Sequence, residues 1–100
     1  MNFIVPVNTN NQDEATITLL EDVKYWAYIE MGEGEMSKCE FFEDRTTIQE
    51  WVECVVVKHD KEYVWPFMEE NIMVLVAPEQ NTIEEIVSAY MFRELHDLNT

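Results

Sequence analysis

The chain has 100 residues, 47% of them apolar, and a formal net charge of −15 from 21 acidic and six basic side chains. This charge excludes ordinary nucleic-acid binding, which needs a basic surface, and argues against docking on anionic lipid. The 12 aromatic residues and the long β-branched runs argue against disorder, and the length fits one domain, residues 1–100. No apolar stretch approaches the ~20 residues of a membrane-spanning helix.

The acidic surface has three interpretations that the sequence does not separate: a self-repelling soluble surface, a face for a basic protein partner or for cations, and adaptation to salt. Cys39 and Cys54 lack CxxC spacing, which predicts reduced thiols and a cytoplasmic location. The N-terminus has no basic flank and no small-residue cleavage site, so we expect no signal peptide.

The first 43 residues predict a strand, a loop and a β-hairpin. Phe3–Val7 is a short apolar strand, in which Pro6 should lie where no ladder hydrogen bond is required. Asn8–Asp13 is a polar loop, and 15–23 is ambiguous between a loop and one helical turn.

The hairpin is the aromatic segment Lys24–Met31, a turn with two glycines, and the return strand Met36–Glu43. Simple alternation along the return strand places four of its side chains on one face: Met36, Lys38, Glu40 and Phe42.

The second half predicts an alternation of helices and buried strands. The continuous apolar runs Glu53–Lys58 and Ile72–Pro78 are typical of strands covered on both faces. Three helices are predicted around them. The first is a short one within 44–52 capped by Thr46 or by Thr47, the latter completing a capping box with Glu50. The second runs from about Val64–Pro66 to Glu70 with Asn71 as its stop, and the third is a capped amphipathic helix over Thr82–Leu95, with Arg93 and His96 at its end.

The order and the amino-acid sequences of these segments resemble those of the dinitrogenase iron–molybdenum cofactor biosynthesis family, of the NifX/NifB type. Members begin with a strand of the form Ile-Ala-Val-Pro, to which Phe3–Val7 is similar. Their aromatic strand resembles Tyr25–Met31, their Phe-x-Glu-Asn resembles Phe41–Asp44, and their Val-Asp-Val-Val-Ile strand resembles Val52–Val57. Their final Thr-Val-Glu-Glu helix is closely matched by Thr82–Tyr90.

This resemblance implies an RNase H-like α/β fold with a five-stranded mixed sheet in the order 3-2-1-4-5, strand 2 antiparallel, flanked by two to three helices. It also implies binding of an iron–sulfur or iron–molybdenum cluster precursor, without catalysis. Two departures fall where the family would hold its cluster. The expected His-Phe-Gly falls near 19–21 and is absent, and the expected Gly-Gly pair is replaced by His59 and Asp60.

Ligands of open α/β sheets collect at the carboxyl ends of strands, at the switch point between strands 1 and 4. His59 is the candidate metal ligand, because a neutral imidazole suits iron or zinc; a solvated loop histidine is the alternative. The predicted rim of the site consists of Asn8, Thr9, Asn10, Asn11, His59, Asp60 and Lys61. Within this rim the candidate cofactor-binding residues are Asn8, Asn10, Asn11, His59 and Asp60.

The two cysteines are not expected to share a metal. On strands 3 and 4 they would lie roughly 14 Å apart at ~4.8 Å per strand, too far for ~2.3 Å zinc–sulfur bonds.

Two function hypotheses remain open. The first is a non-catalytic carrier of a cluster precursor with a degenerate site, and the second is an acidic protein-interaction module without the cofactor. No nucleophile–base spacing, phosphate-binding glycine loop or HExxH occurs, so we expect no enzyme. The return strand of the hairpin could also pair with a copy of itself, which leaves monomer and weak homodimer open.

Overall fold

The computed structural model describes residues 1–98, which build one mixed sheet flanked by two helices. The sheet has six strands in the order β3-β2-β1-β4-β5-β6. The elements are β1 Asn2–Val7, β2 Tyr25–Gly32, β3 Glu35–Phe42, β4 Cys54–Val57, α1 Trp65–Glu69, β5 Met73–Val76, α2 Ile83–Met91 and β6 His96–Asp97, with 3-10 turns at Leu20–Asp22 and Arg45–Thr47. Within these residues no helix is long and apolar enough to cross a membrane.

The predicted order of the first five strands is confirmed. β1 pairs with β2 in the antiparallel sense and with β4 in the parallel sense, and β4 and β5 are parallel. β2 and β3 form the predicted antiparallel hairpin. The predicted count of five strands is wrong, because β6 adds an antiparallel sixth strand beside β5.

The sixth strand exists because the last helix ends before Leu95. Arg93 has a φ of 58°, the N–H of Arg93 donates to the carbonyl of Tyr90, and that of Glu94 donates to the carbonyl of Ala89 at 2.8 Å. These are the two hydrogen bonds of a Schellman motif, which usually uses glycine. The chain then turns back, and the N–H of Leu98 donates to the carbonyl of Val74 at 2.9 Å. His96 is therefore a strand residue rather than a helix terminus.

Both faces of the sheet are covered, as the continuous apolar runs predicted. Alternate residues of β1 point to opposite sides, so Phe3 and Val5 face α2 while Ile4 faces α1. The α2 side contains Phe3, Val5, Val7, Ala15, Ile17, Ala27, Ile29, Cys54, Val56, Ala77, Ile83 and Ile86. The α1 side contains Ile4, Trp26, Tyr28, Val55, Val57, Val64, Phe67, Ile72, Val74 and Val76.

The hairpin turn has positive φ at both Glu33 and Gly34, as a type I′ turn requires. A register shift follows, because Met31 pairs with Met36 while Glu30 pairs with Lys38. The extra residue, Ser37, is a β-bulge. Simple alternation was therefore wrong for Met36: it packs on the α2 side with Cys39 and Phe41, whereas Phe42 packs on the α1 side.

The predicted helix within 44–52 is only a 3-10 turn. The Asp44 carboxylate caps it by accepting from the N–H of Thr46 at 2.9 Å and from its hydroxyl at 2.7 Å, and these bonds lower the pKa of Asp44. The Thr47 hydroxyl instead donates to the Asp44 carbonyl at 2.7 Å, so the capping box with Glu50 does not form. A short polar cap competes with helix propagation here.

The other two helix starts were predicted correctly. α1 carries Pro66 in its first turn and is followed by Asn71 at a φ of 62°. α2 begins with the predicted capping box, in which Thr82 and Glu85 exchange side-chain and backbone hydrogen bonds. The ambiguous segment 15–23 is mostly loop with one 3-10 turn, and it buries Ala15 and Ile17.

Candidate functional site at the carboxyl ends of β1 and β4

The candidate site lies where the neighbours of β1 change from antiparallel β2 to parallel β4. β1 ends at Val7 and β4 ends at Val57, and the chain continues from both into polar loops. This is the topological switch point at which ligands of open α/β sheets bind. The side chains of these two loops and of the loop before α2 therefore decide what the site can hold.

The asparagine loop after β1 uses its amide oxygens to hold its own backbone. Asn8 Oδ1 accepts from the N–H of Thr16 at 2.9 Å. Asn11 Oδ1 accepts from the N–H of Asp13 at 2.9 Å and from that of Glu14 at 3.3 Å. The Asn11 oxygen thus forms an Asx-type turn and the Asn8 oxygen joins the two ends of the loop, so neither is directed at a ligand. Asn8, Asn10 and Asn11 are all exposed, and the adjacent Thr9 is half-buried.

The loop after β4 contains a feature that the sequence analysis missed. Glu62 Oε2 accepts from the N–H groups of Lys58 and His59, each at 2.9 Å, and Oε1 accepts from the N–H of Leu20 at 2.5 Å. We call this half-buried carboxylate and its three donors the Glu62 cluster. Backbone N–H groups that converge at a loop form an anion site, and here the chain's own carboxylate fills it.

The only sequence signal for the Glu62 cluster was an acidic residue five positions after the end of β4. That spacing is common in loops and does not by itself identify a hydrogen-bonding role. The third donor, Leu20, lies 42 positions away and comes close only through the fold.

Lys58 links the loop after β4 to the loop before α2. Its Nζ donates to the carbonyl of Gln80 at 3.0 Å and to Asn81 Oδ1 at 2.9 Å. Glu85 Oε1 in turn accepts from the N–H groups of Asn81 and Thr82, and these bonds lower the pKa of Glu85. The Glu85 carboxylate therefore already accepts from the two backbone N–H groups that precede α2, and Thr82 Oγ1 accepts from the N–H of Glu85 within its first turn.

His59 and Asp60 line a cleft of about 330 Å³ that also contains the second histidine. We call it the His59 cleft. The structure thus brings His59 together with His96, which the predicted helix had placed elsewhere, whereas Asn8, Asn10 and Asn11 do not line it. Its lining residues are Lys58, His59, Asp60, Val76, Pro78, His96, Asp97 and Leu98.

The His59 cleft does not form a resident metal centre of the usual kind. Within residues 1–98 no three side chains among His, Cys, Asp and Glu group closely enough to hold a metal ion. A structural zinc site needs four such ligands and a catalytic one needs three. The assignment of His59 as a metal ligand stays a prediction, with His96 as the imidazole nearest to it in the fold.

The two cysteines lie on one row across the sheet but far apart. Cys39 pairs with Ile29, Ile29 with Phe3 and Phe3 with Cys54, which makes three strand spacings as predicted. Burial raises the pKa of Cys39 to about 11 and also raises the pKa of Cys54. Both thiols are therefore protonated near neutral pH, whereas metal binding needs the thiolate.

Half of the six basic side chains are engaged within the chain. Arg45 forms a two-pronged ion pair with Glu70, with contacts of 2.7 and 3.2 Å, and this pair lowers the pKa of Glu70. Lys38 lies 2.9 Å from Glu40, and Lys58 is bound as described above. Most of the acidic side chains of residues 1–98 are exposed, and with a net charge of −15 they place the site in a negative potential.

Comparison with known proteins shows a likeness of fold over nearly the whole chain. A crystal structure of a protein provisionally named a dinitrogenase, from Methanocaldococcus jannaschii, matches with a TM-score of 0.74 at 17% identity, over 97% of this chain and 93% of that one. An NMR structure of the dinitrogenase candidate from Methanococcus jannaschii gives 0.77 at 16%, over 100% and 94%. An NMR structure of a protein provisionally named NifB, from Thermotoga, gives 0.72 at 13%, over 99% and 94%.

No family model matches the sequence, and no curated protein matches it. At identities below a fifth, these structures establish the mixed α/β architecture alone. Function does not follow from a shared fold and must be argued from the site.

Proposed function

We propose that the chain is a non-catalytic accessory domain of the NifX/NifB type, which binds a metal-cluster precursor in transit during cofactor assembly. The full-length match of fold to proteins named as dinitrogenase and NifB supports this proposal. The family-like segments Tyr25–Met31 and Thr82–Tyr90 occupy β2 and α2 of that same fold. We include in it the RNase H-like assignment, on the order β3-β2-β1-β4-β5 with β2 reversed.

The cargo would bind in the His59 cleft through the imidazoles of His59 and His96. Imidazole suits iron, whereas the protonated, half-buried or buried thiols do not offer thiolates. Two imidazoles are fewer ligands than a resident cluster needs. The cluster is therefore cargo that is held briefly, and the site is degenerate because the Glu62 carboxylate occupies the converging N–H groups beside it.

Anaerobic reconstitution with ferrous iron, sulfide and molybdate tests this proposal. After desalting, we expect a coloured species with a reproducible metal-to-protein ratio, and we expect His59→Ala and His96→Ala each to lower the retained metal. Glu79→Ala is the matched control, because Glu79 is an exposed loop residue that does not line the His59 cleft. A wild-type protein that stays colourless and keeps no metal would contradict the proposal.

A second candidate function is an acidic interaction module that keeps the fold and binds a basic protein partner. The closed Glu62 cluster favours it, since the donors that a ligand would use are already taken. Tyr63 and Trp65, next to it in sequence, are 75% and 58% exposed. Exposed aromatic residues within a charged surface are typical of protein interfaces.

Retention of a basic protein on the immobilised chain, measured across a salt series, tests the second candidate. We expect binding that weakens steeply with ionic strength and that Trp65→Ala lowers at every salt concentration. Binding of this kind with no retained metal would favour the interaction module over the carrier. A failure to retain any basic protein at low salt would refute the module. We place either function in the cytoplasm, on the two reduced thiols.

A further inference from the structure

The two edges of the sheet differ in how far they are open. β3 contributes eight residues, and among residues 1–98 it pairs with β2 alone, so its outer edge carries unpaired backbone groups. The opposite edge, β6, has only two residues. A long open edge is a template for pairing with another strand, and proteins usually shorten, cover or charge such edges.

β3 also leaves apolar side chains incompletely covered. Met36, Cys39, Phe41 and Phe42 are all half-buried, and no residue of β3 is buried. Five of the six residues of β1 are buried, by contrast. The β3 edge therefore combines unpaired backbone groups with apolar surface that a second strand would cover.

The charges on β3 specify the kind of strand that fits. Lys38 and Glu40 flank Cys39 and lie on the same face, with Lys38 Nζ 2.9 Å from Glu40 Oε1. When a strand pairs antiparallel with its own copy in a continuous sheet, the two-fold axis passes through one residue. Residues at equal distances on either side of that residue then face each other.

Only one central residue makes the charged pair of β3 self-complementary. An axis at Cys39 sets Lys38 of each copy opposite Glu40 of the other copy. An axis at Lys38 or at Glu40 sets like charges directly opposite each other, which is destabilising. The Cys39 register also sets Met36 opposite Phe42 and Ser37 opposite Phe41 of the second copy, so the half-buried apolar residues fall within the paired stretch.

We propose that β3 is a homodimerisation edge, at which two copies of this chain pair antiparallel about a two-fold axis at Cys39 and exchange two Lys38–Glu40 ion pairs. The occupant of the edge is a second copy because the charge pattern complements itself. The bulge at Ser37 shortens the regular part of the edge, and each copy carries a net charge of −15, so the dimer is weak and reversible. This inference does not rest on the function proposed above.

Sedimentation velocity over a concentration series at 0.15 M salt tests the proposal with charge-reversal variants. Lys38→Glu and Glu40→Lys each create two like-charge pairs in the homodimer, so each should raise the dissociation constant about 10-fold. Mixing the two variants restores opposite charges at both pairs, and so does the double variant K38E/E40K. Both should return to the affinity of the wild type.

Matched controls separate this specific effect from net charge. Lys24→Glu and Glu79→Lys change the net charge equally at exposed positions outside β3 and should leave the specific pairing intact. If net charge alone governed association, Glu40→Lys would strengthen it, whereas the proposal requires weakening.

A second readout is the diamide oxidation of two Cys39 thiols to an intermolecular disulfide, with transfer of their two electrons and two protons to diamide.

The disulfide should form because directly opposite residues of antiparallel strands have Cα atoms ~4.5–5.5 Å apart, within disulfide range. Cys39→Ser should abolish this cross-linked dimer, and circular dichroism would verify that each variant is folded. The proposal is overturned if the wild type is monomeric up to on the order of 1 mM. It is also overturned if the mixture of Lys38→Glu and Glu40→Lys associates no better than either variant alone.

Discussion

Removal of the Glu62 carboxylate should destabilise the fold more than removal of any exposed acid. Its two oxygens accept from three backbone N–H groups, on Leu20, Lys58 and His59. A hydrogen bond to a charged group is worth about 1.5–3 kcal/mol, and an unsatisfied buried donor adds its own cost. Because Glu62 is half-buried, water replaces part of this loss, and we expect about 2–3 kcal/mol in total for Glu62→Ala.

Thermal and urea unfolding measure this effect. About 4–8 °C of melting temperature corresponds to each kcal/mol in a domain of this size. Glu62→Ala should therefore melt about 8–24 °C lower. Glu62→Gln keeps one acceptor oxygen but turns an NH2 group towards the donors. Its loss of stability should therefore be close to half of the loss in Glu62→Ala. The control Glu79→Ala should stay within about 0.5 kcal/mol of the wild type.

Amide hydrogen exchange locates the same effect in the structure. The N–H groups of Leu20, Lys58 and His59 should lose protection in Glu62→Ala, while Val56 in the centre of the sheet should change only with global stability. If Glu62→Ala unfolds like Glu79→Ala and the three amides keep their protection, the Glu62 cluster does not tie the loop after β4 to the 3-10 turn at 20–22.

Three further outcomes follow from other parts of the fold. Arg93→Gly should raise the stability by about 0.5–1 kcal/mol in urea unfolding, because glycine adopts the φ of 58° without strain; an unchanged midpoint would contradict this. Ile86→Ala, in the fully buried face of α2, should cost about 2–5 kcal/mol, and a cost below 1 kcal/mol would mean that the site collapses around the smaller side chain. Stability should fall as the pH rises above 9. Cys39 loses its proton near pH 9.0 in the unfolded chain, whereas its pKa in the folded chain is about 11. Tyr28 adds to the fall at higher pH, because its pKa in the folded chain is about 12. Cys39→Ser should flatten the first part of that fall in unfolding curves taken from pH 8 to 11.

The parts of the fold that follow from local rules were predictable from the sequence. The uninterrupted valines of β4 require cover on both faces, and the capping box of Thr82 and Glu85 marks the start of α2 without reference to the rest of the chain. The hairpin turn was predictable for the same reason, since Gly34 takes a φ of 82° at no cost.

The remaining elements depend on contacts between distant residues. Arg93 ends α2 in a conformation that normally calls for glycine, and pairing of the following residues with β5 offsets its cost. A propensity argument extends the helix through such a residue, which is why β6 was missed. The bulge at Ser37 is likewise invisible to an alternation pattern, because it depends on how β3 pairs with β2 rather than on the residues of β3 alone.

Glu62 also connects the two candidate functions. In a carrier with an intact site, the N–H groups of Lys58 and His59 would bind an anionic group of the cargo beside the two imidazoles. Here the Glu62 carboxylate accepts from both at 2.9 Å, and it is always present at an effective concentration that a dilute anion cannot match. Glu62→Ala removes this competitor and leaves the donors beside the His59 cleft. We expect folded Glu62→Ala to bind molybdate more tightly than the wild type and Glu79→Ala do. That result would mean that the Glu62 side chain blocks an anion site that the backbone still forms. Equal affinity in all three would mean that the backbone here no longer forms an anion site, and it would favour the acidic interaction module.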